Sequence, residues 1–398
     1  MMLTGLDRLV SSPRLRERIF APRVALLSHP AAITGDFVHA GEALRRVGVE
    51  PVMLFGPEHG YGGEAQDMVG VRSSVDVHNI PTRSLYGTTR ETLAPDPRDL
   101  ASFDLLIIDM QDIGTRFYTF VWTALLAMRA CVKQGVRVVV LDRPNPIGCS
   151  DDSIEGACQD PAFLSFVGLE PLPIRHSLTI GEIIAHFAAR GDVSADALTV
   201  VQVEGGAAHQ HAPSWGRPFV MTSPNMPSYE TALVYPGGCL LEGTNISEGR
   251  GTTRPFEIVG APWVDGAALA NKFNHLALEG VVARPISFQP MFHKWAKQVC
   301  GGVQIHATDL RFRPVAAYSA LIALIAKSHP KDFAFRTEPY EFVSDTPAFD
   351  LLTGSDVARR MIESGSDVNA IADEVSHATE ADIREVQEAR EALRRYAA

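Results

Sequence analysis

Four short apolar runs, each emptying into a polar loop, constrain this chain more than any other feature. Residues 23–28 (RVALLS), 51–55 (PVMLF), 104–109 (DLLIID) and 137–141 (RVVVL) are almost continuously hydrophobic. That is the pattern of strands covered on both faces, as in a parallel sheet. Between them, residues 37–47 and 117–134 carry apolar side chains at helical spacing, and the second segment stops at Gly135. Alternating strand and helix predicts an α/β fold, a Rossmann-like parallel sheet with helices on both faces. Ligands of such sheets gather beyond the carboxyl ends of the strands.

A helix over 180–190 and a strand over 198–203 extend this unit. Residues 205–253 are poor in periodicity but rich in Gly, Pro, Asn and Trp, and long irregular stretches in compact domains are usually functional. Beyond about residue 263 the order changes to a helix (266–278), two strand-like runs (281–288 and 302–306), a helix (316–328) and a polar helical tail (379–396). With 398 residues and roughly 150 per domain, we expect a Rossmann-like domain over 1–262, a smaller α+β C-terminal domain over 263–398, and an active cleft between them.

Composition narrows the function. A net charge of −11 repels polyphosphate, so nucleic acid is not expected as a partner. No apolar run approaches the roughly 18–20 residues that span a bilayer. Cys131, Cys149, Cys158, Cys239 and Cys300 are odd in number and lack CxxC spacing, which suits free thiols in a reducing compartment. The first nineteen residues carry spread arginines and no apolar core of a signal peptide. A cytoplasmic enzyme or binding protein is expected.

The loops after the strands carry the chemistry. Gly56-Pro57-Glu58-His59-Gly60 sets an acid and an imidazole at a strand end, where Glu58 either serves as a general acid or braces the loop. Gly60-Tyr61-Gly62-Gly63-Glu64-Ala65 matches a dinucleotide fingerprint in form, but four residues separate it from the strand and no clear helix follows. His209 and His211 could chelate a metal, although a lone HxH in a loop is usually solvated; no metal or organic cofactor is expected. Asp112 with Arg116 and Tyr118, and Asp142 with Arg143 and Asn145, bring acids and arginines to the same rim. They form either internal pairs or an anion site. Residues 242–253 (EGTNISEGRGTT) pack Glu242, Asn245, Glu248 and Arg250 among glycines, a density that favours a ligand site over packing.

GPEHGYGGE, SLYG (84–87), DMQDIGTRFYTF, VLDRPNPIG, PIRHSLTIGE (173–182), SPNMP (223–227, with Asn225), YPGGCLLEGTNISEGRGTTRPFEIVGAPW (235–263) and FHKWAKQVCGGVQIH (292–306) together resemble the exo-β-N-acetylmuramidases of glycoside hydrolase family 171. The resemblance runs from residue 5 to about 354. It implies a Rossmann-like catalytic domain, a smaller C-terminal domain, and release of N-acetylmuramic acid (MurNAc) from the non-reducing ends of peptidoglycan fragments. It also implies that Glu58 is catalytic. A second glutamate implied by the family, in a Met-Glu-Ala context of the crossover helix, meets Met128-Arg129-Ala130 here; a guanidinium in that buried helix must find a carboxylate or reach the cleft.

Glycoside cleavage usually needs two carboxyls. The partner of Glu58 is expected among Glu64, Asp112, Glu242 and Glu248. The muramyl lactyl carboxylate is expected at Arg116, Arg143 or Arg250, with Tyr118 or Trp215 stacking on the sugar. Two other functions stay open: a muropeptide sensor without turnover and a nucleotide-dependent oxidoreductase. The partner in the leading reading is a muropeptide or disaccharide, with no membrane.

Overall fold

A computed structural model describes every residue except 1, 20, 67, 207 and 208. Seven strands form the first sheet: β1 (Val24–Ser28), β2 (Pro51–Gly56), β3 (Ser74–Val75), β4 (Pro81–Ser84), β5 (Leu105–Asp109), β6 (Arg137–Leu141) and β7 (Leu198–Val201). Their order is β3-β4-β2-β1-β5-β6-β7. All neighbours run parallel except β3 against β4. Leu27 pairs with both Phe55 and Ile108, Ile108 with Val140, and Val140 with Val200. These side chains are fully buried, as expected for strands covered on both sides.

The chain leaves β1 toward β2 on one side and returns to β5 on the other, so a switch point lies beyond Ser28 and Asp109. Arg143 fills it. Its Nε and Nη2 donate to Asp109 Oδ1 and Oδ2 at 2.5 and 3.0 Å, and Nη2 also donates to the Ile33 carbonyl. His29 beside it accepts from the Gln111 amide at 2.8 Å. Burial, and then the Arg143 charge, hold the His29 imidazole well below its usual pKa, which matches its role as an acceptor.

The crossover helix Phe120–Lys133 is buried along most of its length. Arg129, expected inside it, is instead on the outer face and pairs with Glu170 at 2.6 Å with its side chain 42% exposed. Exposed pairs contribute about 0–1 kcal/mol. Arg129→Glu should therefore shift stability by no more than about that amount and leave kcat unchanged, as urea melts and initial rates would show; a gain of turnover would place the second acid here after all.

The second sheet has the order β8-β10-β9 from Ile258–Ala261 (β8), Val281–Phe288 (β9) and Cys300–Ala307 (β10). β8 lies upstream of residue 263 yet belongs to this sheet. Residues 205–253 are not wholly irregular, because Tyr229–Gly238 is a helix with Pro236 inside it. Gly237 faces the Pro314 carbonyl so closely that no Cβ fits, which lets this helix lie against helix Pro314–Ser328. The expected helical tail, Glu380–Tyr396, does not stay with the second sheet. It packs on helix Ile180–Arg190 through His186 and Glu385 at 2.7 Å, and the Ala398 amide bonds to Val200 of β7. Among the described residues no helix is long and apolar enough to cross a membrane.

Candidate active site

β2 ends at Gly56, where a Cβ would strike the backbone of Tyr61, so only glycine lets the next loop fold back. His59 takes a left-handed φ of 69° and its Nδ1 lies 2.8 Å from the Ala65 carbonyl. This turn holds Glu58 against the sheet rim, 6% exposed. The Met68 amide donates to Oε1 at 3.1 Å, and the Thr119 hydroxyl donates to Oε2 at 2.7 Å. Thr119 is the N-cap of the crossover helix but makes no capping bond; its hydroxyl serves the carboxylate instead.

Glu58 faces a small, largely enclosed pocket. Phe117, Tyr118, Tyr235 and Phe256 give it aromatic walls, with the Tyr235 and Phe256 rings 4.7 Å apart edge to face. The Tyr118 hydroxyl donates to Thr222 at 2.7 Å. Another wall is a polar network in which Glu242 Oε1 accepts from Arg250 at 2.6 Å and Oε2 accepts from the Tyr340 hydroxyl at 2.7 Å. Asn225 donates to Gln66 at the same pocket. Glu341 also lines it, and its Oε2 accepts from the Tyr86 hydroxyl at 3.0 Å. Burial first, then the charges of Glu58 and Glu341, push the Tyr86 phenol far above its ordinary pKa, so it remains a donor.

Six expected site residues thus meet here: Glu58, His59, Tyr118, Asn225, Glu242 and Arg250. The others do not line this pocket. Glu64 is exposed on its loop. Asp112 accepts from the Gly114 amide at 2.7 Å and faces buried His176. Arg116 is fully buried and donates to the carbonyls of Ala157, Leu172 and Leu352; burial lowers its pKa to about 9, so it remains a cation that ties three segments together. Arg143 is committed to Asp109. Asn145 bonds to Leu178 and Ile147, and Asn245 to Asp332 and Ala334, so both amides brace loops. Glu248 lies behind the pocket: burial would raise its pKa, but Lys294, His293 and Arg250 hold it far below the usual range. Trp215 lines a separate cavity with Arg143. The expected pairs do not form, because Arg143 pairs with Asp109 rather than Asp142 and Arg116 bonds carbonyls rather than Asp112, but these arginines and the two amides do brace the loops.

Tyr86, Tyr235, Tyr340 and Glu341 were not singled out as site residues. For Glu341 the available signal was an acid flanked by aromatics, Tyr340-Glu341-Phe342, in a stretch without periodicity. The dinucleotide reading loses its ground here. Among the described residues no helix follows directly on residue 65, and the switch point is occupied by Arg143 and Asp109.

A family model described as exo-β-N-acetylmuramidase NamZ, N-terminal, matches residues 24–230, and its C-terminal counterpart matches 233–396. The chain belongs to the NamZ family. It is 40% identical over 371 residues to the peptidoglycan β-N-acetylmuramidase NamZ of Bacillus subtilis, covering 92% of this chain and 86% of that protein. Two DUF1343 family proteins of Bacteroides fragilis with crystal structures superpose with TM-scores of 0.84 and 0.71, at 27% and 25% identity. Each comparison covers 99% of this chain and 98% of the other. The pocket draws Glu58, Tyr118 and Asn225 from the part matched by the N-terminal NamZ model, and Glu242, Arg250, Tyr340 and Glu341 from the part matched by the C-terminal one.

Proposed function

We propose that this chain is an exo-acting β-N-acetylmuramidase that releases MurNAc from the non-reducing end of peptidoglycan fragments. The observation that carries the reading is a buried carboxyl, Glu58, facing a pocket lined by aromatics and further carboxyls. Glu58 protonates the leaving glycosidic oxygen. Thr119 bonds one of its oxygens through a hydroxyl, a group that can donate or accept. The aromatic walls exclude water and cover the sugar's apolar face. The partner is a muropeptide or disaccharide. Five unpaired cysteines fit a cytoplasmic setting, where thiols stay reduced.

Arg250 is the arginine among the three candidates that lines the pocket, and we assign it to the lactyl carboxylate. A hydrogen bond to a charged group contributes about 1.5–3 kcal/mol. Arg250→Met should thus raise KM for muramyl substrates by about 10- to 150-fold while changing that for glucosaminyl analogues far less. Equal losses on both would remove this role. The exo course is tested by a chromatographic time course on longer fragments carrying terminal MurNAc. Free MurNAc should be the first product, and early internal fragments would contradict it.

A further inference from the structure

We propose that Glu341 is the second catalytic carboxyl, the nucleophile that works against Glu58, with Tyr86 as the residue that positions it. This rests on the glycosidase reading above. Among the acids expected to partner Glu58, Glu242 holds Arg250, the arginine assigned to the lactyl carboxylate, at 2.6 Å. Glu248 is buried behind the pocket against Lys294 and His293, and neither Glu64 nor Asp112 lines it. Glu341 lines the same pocket as Glu58, 5% exposed.

Its backbone is held in an unusual form. Glu341 and Phe342 both take left-handed φ angles, 46° and 66°, a conformation costly for residues with a Cβ and concentrated at functional sites. The turn is closed by reciprocal Tyr340–Val343 backbone bonds of 2.9 Å. Phe342 packs against Tyr86 and Phe166, with ring centroids 5.6 and 6.2 Å away. Sequence distance thus gives way to a fixed contact, Tyr86 Oη to Glu341 Oε2 at 3.0 Å.

Glu58 and Glu341 line one pocket, and an acid working with a carboxylate nucleophile is the arrangement of retaining glycosidases. In the first step a Glu341 oxygen bonds to the anomeric carbon as the glycosidic C–O bond breaks, and the leaving oxygen takes the Glu58 proton. In the second, a water oxygen bonds to the anomeric carbon and its proton passes to Glu58. The ester bond breaks with its electron pair returning to Glu341. Tyr86 donates to the carboxylate at the start and end of the cycle.

The test compares Glu341→Ala, Glu341→Gln and Glu58→Ala on the MurNAc-GlcNAc disaccharide (GlcNAc is N-acetylglucosamine) and on an aryl β-muramide with a good leaving group, with and without azide. Both Glu341 variants should lose at least about 10²-fold in kcat on both substrates. Azide should restore turnover of the aryl substrate by Glu341→Ala and give the α-glycosyl azide. Glu58→Ala should still cleave the aryl bond, which needs no proton, and with azide give the β-glycosyl azide. Melting curves matching wild type show that the Glu341 variants fold; the near-isosteric Gln variant serves if Ala does not. Activity within tenfold of wild type in a folded Glu341 variant, or loss without α-azide in Glu341→Ala, overturns the assignment. A wild-type protein that cleaves neither substrate would instead overturn the glycosidase reading itself.

Discussion

Glu58→Gln should lower kcat on a muramyl disaccharide by about 10²–10⁴-fold, the usual contribution of general acid catalysis. It should leave KM and the melting temperature close to those of wild type. The amide keeps the shape of the carboxyl and can still accept from the Met68 amide and meet the Thr119 hydroxyl, so the fold around it has little to lose. It has no acidic proton to give to the leaving oxygen. Steady-state rates decide the matter: a variant keeping more than about a tenth of wild-type kcat, well outside that range, removes Glu58 from the acid's role. A large KM effect with intact kcat would make it a binding residue instead.

Arg143→Met should destabilise the protein by about 3–5 kcal/mol, because it strands the Asp109 carboxylate in a fully buried position. Guanidinium unfolding midpoints measure this. Pairing the change with Asp109→Leu should recover most of the loss, since a buried ion pair can often be replaced by apolar residues at little net cost. Neither variant should change KM selectively for muramyl over glucosaminyl substrates, because Arg143 does not line the pocket. A selective KM effect would return Arg143 to the substrate site.

The parts of the fold legible in the sequence were those where burial is two-sided. Strands β1, β2, β5 and β6 fall within a residue of the expected apolar runs, because a strand in a covered parallel sheet leaves a continuous hydrophobic signature. Helix Tyr229–Gly238 left none: Pro236 and the adjacent glycines read as loop punctuation, while Gly237 is needed for close approach to Pro314. The same contrast holds at the site. Glu58 was legible because a Gly-Pro turn after a strand places an acid on the rim by local geometry alone. The arginines were not, since whether Arg143 faces a ligand or Asp109 depends on a partner 34 residues away. Glu341 meets Tyr86 across 255 residues, and no local pattern encodes that contact.

The proposed function requires that this pocket turn over a terminal MurNAc rather than merely hold it. Incubating the purified protein with MurNAc-GlcNAc, with GlcNAc-GlcNAc in parallel, separates the two. Equimolar free MurNAc and GlcNAc should appear from the first disaccharide while the second stays intact; binding of MurNAc-GlcNAc without release of either sugar would make the chain a sensor.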